Sequence, residues 1–451
     1  MELKNKRVLV VGAGKSGIAA AYFLREQGAK VTVSDSRSAA ALAAEIPALM
    51  DAGIMVESGG HGLLTFRRQD LIVVSPGVPT DTPELNQVRT LLVPVIGELE
   101  LASRYLNGQT IAITGSNGKT TTTTLVGEIL KQGDLQTLVG GNIGVPVIDL
   151  IDQSSRKTWN VLEVSSFQLE TVDEFKPRIA AVLNITPDHL DRHGSFFNYA
   201  AAKARITERQ DADDFLVLNA ENKAAQMLAA KTRAQIFWFS TERAIKQGAF
   251  VHGDSILWRA REGAKAEPVM PLGEIPLRGA HNVENVLAAV AIARLAGVSP
   301  ENIRSAVTRF KAVEHRLELV RLRNGVEFYN DSKATNVDAA MKAIASFPAG
   351  VHLILGGKDK DSDYTQMRDL LRERVEAVYT VGSAAEKITR ELDGVVKMVK
   401  SGTVAAAVQQ AAEAAVSGDV VLLAPACSSF DQFENYEHRG RVFREVVMEL
   451  P

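Results

Sequence analysis

The chain has 451 residues, room for about three domains of ordinary size. Hydrophobic residues make up 46% and charged residues 23%, with a formal net charge of −3, so no overall basic field would recruit nucleic acid or an anionic membrane. A single cysteine, Cys427, rules out an internal disulfide, and no apolar run approaches the roughly 20 residues of a membrane span, so a cytoplasmic protein is expected.

In chain order, short β-branched runs predict strands over 7–11, 30–33, 71–74, 111–114, 161–164, 180–185 and 215–218. Further strands are predicted over 351–355, 377–381 and 420–423. Helical stretches separate them, which argues for an α/β fold with parallel sheets covered on both faces and ligands at the carboxyl ends of the strands. Turns near 97–108 and 310–314 place the borders, giving domains over 1–97, 98–312 and 313–451. The polar stretch 241–275 reads as a few antiparallel strands.

Gly12-Ala13-Gly14-Lys15-Ser16-Gly17 follows the first strand and opens a helix that Gly28 ends. Such a loop lets the backbone approach phosphate at a helix N-terminus, and Asp35, closing the second strand, suits ribose hydroxyls. On its own the loop is compatible with NAD, with another nucleotide or pyrophosphate, or with tight packing alone. Ser75-Pro76-Gly77 supplies a second wall. A stronger signal is Thr114-Gly115-Ser116-Asn117-Gly118-Lys119-Thr120-Thr121, where a strand meets a glycine turn and Gly-Lys-Thr begins a helix. Backbone N–H groups there cradle phosphates, Lys119 reaches their outer oxygens and Thr120 offers a hydroxyl to Mg²⁺. Ile113 stands where the full motif has its first glycine, so the loop is short at its front.

Glu163 sits in an apolar strand, where a carboxylate is costly unless it is paired or binds a cation; the alternative is an edge strand with Glu163 facing water. Asn184-Ile185-Thr186-Pro187-Asp188-His189-Leu190-Asp191 sets two acids around His189 beside a strand end, a metal or substrate position unless the histidine is structural. Lys203, from spacing alone, is a surface lysine of a helix. Asn282 has a local reading as a helix cap. His315 and Arg316 read as a surface pair, Phe430 and Phe433 as core aromatics, and Cys427 as a small buried hydrophobe.

Together with Gly140-Gly141-Asn142-Ile143-Gly144, Ser165-Ser166-Phe167-Gln168-Leu169-Glu170, His281-Asn282-Val283-Glu284-Asn285, Asp331-Ser332-Lys333-Ala334-Thr335-Asn336 and Ser429-Phe430-Asp431-Gln432-Phe433, these motifs resemble the Mur ligases over essentially the whole chain. The serine-, aspartate- and phenylalanine-containing stretches select the branch that adds D-glutamate. The resemblance implies a Rossmann-like N-terminal domain, a P-loop ATPase-like central domain and a Rossmann-like C-terminal domain. It implies a monomer that uses ATP, two Mg²⁺ ions and a carbamylated lysine to join D-glutamate to UDP-N-acetylmuramoyl-L-alanine through an acyl phosphate, in peptidoglycan precursor synthesis. Gly14, Lys15, Ser16, Asp35, Arg37, Ser75, Pro76, Gly77 and Asn142 would then face the UDP substrate. The phosphates of ATP would meet residues 115–121, and its adenine, ribose and phosphate groups Asn282, Asn285, Arg316 and Asp331. Thr120, Glu163, His189 and carbamylated Lys203 would serve the metals, with Lys119, His189 and Lys203 as the catalytic set. Lys333, Thr335, Lys360, Ser429, Phe430 and Tyr436 would hold D-glutamate; some relatives carry Phe at the last position. Three readings compete: a dinucleotide-dependent oxidoreductase, a nucleotide-switched binding protein, and a related ligase for another amino acid, including the folylpolyglutamate type.

Overall fold

The computed structural model describes residues 1–311 and 313–451. They divide into two compact units, one of residues 1–185, 197–270 and 287–306 and one of residues 186–196, 271–286 and 307–451. The border predicted at residue 312 lies outside the described residues, and the one at 97/98 falls between a strand, Val95–Gly97, and a helix, Glu98–Ser103.

The first unit holds two sheets. Strands β1 (Arg7–Val11), β2 (Lys30–Asp35), β3 (Met55–Ser58), β4 (Leu71–Val74) and β5 (Val95–Gly97) are parallel, in the order β3-β2-β1-β4-β5. Alternation along β1 shows why a continuous apolar run is stable here: Val8 and Val10 enter one buried cluster, Leu9 and Val11 another. Each such side chain contributes about 1.5–3 kcal/mol on burial, so both faces must be covered. The sequence pattern missed β3, a half-exposed edge strand, and β5, too short to show a period.

The second sheet comprises β6 (Gln109–Thr114), β7 (Thr137–Gly141), β8 (Trp159–Glu163), β9 (Ile179–Val182), β10 (Phe215–Asn219), β11 (Gln235–Ser240), β12 (Gly248–His252), β13 (Ser255–Arg259) and β14 (Glu267–Pro271). Its order is β14-β13-β12-β11-β10-β9-β6-β8-β7. Pairing is parallel from β7 through to β12. Within the stretch expected to be antiparallel, β12 instead continues the parallel sheet, while its hairpin with β13 is antiparallel. The strand expected over 180–185 ends at Val182, where its partner β6 also ends at Thr114, and the Leu183 N–H makes the last ladder bond, to the Thr114 carbonyl at 3.0 Å.

In the second unit, β15 (Glu318–Arg323), β16 (Val326–Asn330), β17 (Val351–Gly356), β18 (Val375–Val381), β19 (Lys397–Gly402) and β20 (Val420–Leu423) run in the order β15-β16-β20-β17-β18-β19. Only the β15–β16 pair is antiparallel. Leu353 and Leu355 pack on one face and Ile354 on the other. Strand order thus gathers the segments that follow β1 and β4, those that follow β6, β8 and β9, and those that follow β16, β17 and β20, each at the carboxyl end of its sheet. Among the described residues no helix is long and apolar enough to cross a membrane.

Candidate active site

The loop after β1 is built on close backbone approach. Gly12 has φ 94°, and a Cβ on Gly17 would lie 2.0 Å from the Gly12 carbonyl oxygen and 2.4 Å from Ser75 Oγ. Ser75 Oγ donates to that carbonyl at 2.8 Å, so β1, β4 and the first turn of the helix Lys15–Glu26 meet without room for a side chain. Asp35 accepts the Ala13 N–H at 2.7 Å and the Arg37 N–H at 2.8 Å, and the Arg37 guanidinium grips it at 3.1 and 3.0 Å. Burial works to raise the pKa of this carboxyl, but the hydrogen bonds from Arg37 and Ala13 outweigh it and hold it at about 2. Gly14, Lys15, Ser16, Asp35, Arg37, Ser75, Pro76, Gly77 and Asn142 all line one cleft of about 500 Å³. Its far wall is the turn after β7, whose Gly144 carbonyl accepts from Lys15 Nζ.

The loop after β6 is fixed by its neighbours. Gly118 precedes the helix Lys119–Gln132 at φ 86°, a conformation that favours glycine. Asn184, beyond β9, exchanges two hydrogen bonds with the Asn117 backbone at 2.9 and 3.1 Å, while its own carbonyl accepts the Ser116 N–H at 2.9 Å. Lys119 Nζ donates to the carbonyl oxygens of Gly115 and Ser116 at 2.8 and 2.9 Å. Glu163 closes β8 and is 1% exposed; because β8 lies between β6 and β7, the edge-strand reading of this residue fails. Its carboxylate accepts Thr120 Oγ1–H at 2.7 Å and Asn142 Nδ2–H at 2.9 Å. Lys203 is not a surface lysine either. It is 1% exposed, and its Nζ donates to the Gly115 carbonyl at 2.8 Å. Four residues earlier on the same helix face, Tyr199 presents its ring 4.7 Å from that ammonium and its hydroxyl 2.9 Å from Ser116 Oγ.

In the second unit, Asp188 accepts from Asn336 Nδ2 at 3.1 Å and Lys360 Nζ at 3.3 Å, with His189 Nε2 3.6 Å away. Lys333 Nζ lies 3.6 Å from the ring centroid of Tyr436. Thr335 comes next in the same turn, its N–H on the Lys333 carbonyl. Ser429 is buried, but Phe430 is 67% exposed, so its reading as a core aromatic fails; Phe433 does pack against a buried cluster. Asn282 occupies the third position of the helix Ala280–Leu295. Its side chain donates to the Arg278 carbonyl and accepts from Asn285, so it does not cap that helix. His315 is 4% exposed and within 2.9 Å of Asn330 Nδ2, which excludes the surface pair. Burial lifts Asp331 to about 7 against the opposing charge of Arg316 and the Leu317 N–H. Cys427 is fully buried with its thiol pushed up to about 12, a packing residue.

Three family models cover most of the chain: the Mur ligase MurD-like N-terminal domain matches residues 6–97, the Mur ligase middle domain residues 113–293 and the Mur ligase glutamate ligase domain residues 315–427. The UDP-N-acetylmuramoylalanine–D-glutamate ligase of Acidobacterium capsulatum is 67% identical over 448 residues, covering 99% of this chain and 97% of its own. That of Koribacter versatilis is 59% identical, covering 100% and 99%. This chain belongs to the Mur ligase family. Solved structures agree at the level of the fold. A pseudomurein peptide ligase of Methanothermus fervidus gives a TM-score of 0.62 at 21% identity, covering 99% of this chain and 100% of its own. The UDP-N-acetylmuramate–alanine ligase of Thermotoga maritima gives 0.60 at 18%, covering 98% and 99%.

In this Mur ligase the residues at the second loop suit a hard cation. Among the described residues no three His, Cys, Asp or Glu side chains form a metal cluster. Mg²⁺, however, needs only one or two protein oxygen ligands when phosphates supply others, and Thr120 with Glu163 offers a hydroxyl and a buried carboxylate whose two hydrogen-bond donors are neutral. His189 and Lys203 belong to different units. Sequence reasoning omitted Asn184 and Tyr199 from the site. Their signals were present: a polar residue just past an apolar strand, and an aromatic one helical turn before Lys203.

Proposed function

We propose that this Mur ligase is an ATP-dependent enzyme joining D-glutamate to UDP-N-acetylmuramoyl-L-alanine in peptidoglycan precursor synthesis. The observation that carries the reading is Asn142. It lines the cleft of the first glycine loop and also donates to Glu163, the carboxylate that holds Thr120 of the second, so nucleotide-sugar recognition and phosphate chemistry share one residue. Full-length identity of 67% and 59% to D-glutamate ligases supports the choice of amino acid.

A carboxylate oxygen of the UDP substrate bonds to the γ-phosphorus of ATP as the bond to ADP breaks. The amine of D-glutamate then adds to the acyl carbon, loses a proton, and the amide forms as phosphate leaves. Lys119 and the N–H groups of residues 115–121 hold the phosphate oxygens, so positioning and charge do most of the work. Thr120 and Glu163 would hold Mg²⁺, which when bound supplies positive charge beside those oxygens. We assign Lys203, carbamylated, to a second ion, supported by its burial on the same loop; the part of His189 in that ion's site rests on the resemblance. Gly14, Lys15, Ser16, Asp35, Arg37, Ser75, Pro76 and Gly77 bind the UDP moiety. Asn282, Asn285, Arg316 and Asp331 serve ATP, and Lys333, Thr335, Lys360, Ser429, Phe430 and Tyr436 serve D-glutamate. The Tyr436 hydroxyl makes this pocket more polar than a phenylalanine would. The enzyme works as a cytoplasmic monomer with domains over 1–97, 98–312 and 313–451, a placement that its single cysteine and slight negative charge suit.

Phosphate release with UDP-N-acetylmuramoyl-L-alanine and ATP, compared across D-Glu, L-Glu, L-Ala and L-Lys, tests the reading. Release with D-Glu and amide product in equal amount is expected; release indifferent to the amino acid overturns it. NADH should not bind, which separates this enzyme from an oxidoreductase built on the first loop.

A further inference from the structure

Arg439 lies on the helix Tyr436–Glu449 and is 1% exposed. Its guanidinium donates from Nε to Ser332 Oγ at 3.0 Å and from Nη2 to the Ser332 carbonyl at 2.8 Å. Nη1 donates to the carbonyl oxygens of Cys427 and Ser428 at 3.1 and 3.3 Å. Ser332 Oγ passes its own hydrogen to the Tyr436 carbonyl, one turn before Arg439. Ser428 in turn exchanges both backbone hydrogen bonds with Lys358, so the turn after β17 is tied to the same group. A Cβ on Gly357 would come within 3.1 Å of Nη1, which keeps that turn glycine-tight against the arginine.

None of these acceptors is a carboxylate. Asp431, an acid whose charge acts on Arg439, instead accepts the Ser383 N–H. Burying a cation on carbonyl groups alone is costly, and an apolar side chain of similar size would fill the space more cheaply. What an apolar residue cannot do is hold four oxygens from two separate chain segments with one rigid fork, nor leave a positive charge behind them. Burial lowers the arginine to about 10, so it stays protonated at neutral pH.

We propose that Arg439 is a positioning residue for the acceptor amino acid: it locks the turn that carries Lys333 and Thr335 to the turn that carries Ser429 and Phe430, and sets beneath them a positive charge that favours a dicarboxylate. This rests on the assignment of those four side chains to D-glutamate. The sequence carries a hint of it. Arg439, Phe443 and Val447 recur every four residues along one helix face, and the latter two are buried apolar residues, so the arginine interrupts an apolar stripe.

The test compares full-length Arg439→Met and Arg439→Lys with the unaltered enzyme, measuring KM for each of the three substrates, melting temperature, and hydrogen exchange of the amides over 331–336 and 427–432. Arg439→Met should raise KM for D-glutamate about 10-fold or more, with KM for the UDP substrate within about 2-fold, and should speed exchange in both turns. Arg439→Lys keeps the charge but not the fork and should fall between the two. A lowered melting temperature with an unmoved KM for D-glutamate, or equal rises in all three KM values, overturns the proposal and leaves Arg439 a core strut. Should Arg439→Met not fold, Ser332→Ala, which deletes only the hydroxyl on Nε, must raise KM for D-glutamate selectively, and an unaltered KM refutes the idea. Failure of the unaltered enzyme to use D-glutamate at all would instead remove the functional reading beneath it.

Discussion

Both glycine loops join a parallel strand to a helix and both set their lysine on backbone carbonyl groups, yet the loop of residues 12–17 lies beside a carboxylate gripped by an arginine, whereas the loop of residues 115–120 lies beside a carboxylate met by neutral donors. At the first, Asp35 is held by Arg37 and Ala13 in a balanced wall suited to recognition. At the second, Glu163 is met by the neutral donors Thr120 and Asn142, which suits a carboxylate that takes a cation, and Lys119 opens the helix at which a polyphosphate would lie, so the surroundings suit chemistry as well as binding. A glycine spacing therefore reports that phosphate can approach; the ionisable groups around it decide whether that phosphate is only held or also reacts.

The largest effect that would sharpen this contrast is at Lys119. Lys119→Ala should lower kcat by about 10³-fold with the melting temperature little changed, while Lys15→Ala in the first loop should act on KM for the UDP substrate and leave kcat nearly intact. Equal effects of the two on kcat would erase the distinction. Next comes the metal. Chelation should stop turnover, and Glu163→Gln should raise the Mg²⁺ concentration needed for half-maximal rate about 10-fold or more; an unshifted Mg²⁺ titration would detach Glu163 from the cation.

At the first loop, Asp35→Asn should raise KM for the UDP substrate about 10-fold and spare KM for ATP. Because Asp35 is held at about 2, below its ordinary 3.8, the stability it contributes is present above the ordinary value and lost only as pH falls through about 2. No pH dependence of that KM between about 6 and 9 should trace to it, and a profile that Asp35→Asn flattens in this range would contradict the assignment.

The smallest effect concerns the wall that faces the first loop. Glu98 is buried, with Oε1 accepting the Ile148 N–H at 2.8 Å and Oε2 without a hydrogen-bond partner, and burial pushes it from 4.5 to about 7. Its protonated form fits the fold, so its contribution is complete below pH 4.5 and lost as pH rises through about 7, by an amount on the order of 3 kcal/mol at most. Glu98→Gln should match the parent in melting near pH 5 and exceed it by a few degrees at pH 8, with kinetics at both loops unchanged.

Much of this was legible in the residues. Strands with an unbroken apolar run such as β1, β4 and β20 were found, whereas half-exposed β3 and β19 and short β5 were not, since neither a period of two nor a continuous run survives in them; β7, β15 and β16 were missed as well, and so was β11 despite its apolar run over 236–239. Lys203 was misread from local pattern because a lysine on a helix is ordinarily solvated, and nothing nearby announces that the loop after β6 packs over it. Asn282 was open to a capping role until the helix proved to begin at Ala280.

By itself the sequence determined the two glycine loops, the parallel-sheet class and the family, because backbone sterics at glycine, the two-residue period of strands and the order of motifs are properties of local chain. Only the tertiary structure decided that Thr120 meets Glu163, 43 residues away, and that Arg439 meets Ser332, 107 away. It also decided that Asp35 is neutralised and that Lys203 is dry. Those outcomes come from strand order and desolvation, which no window of the chain contains.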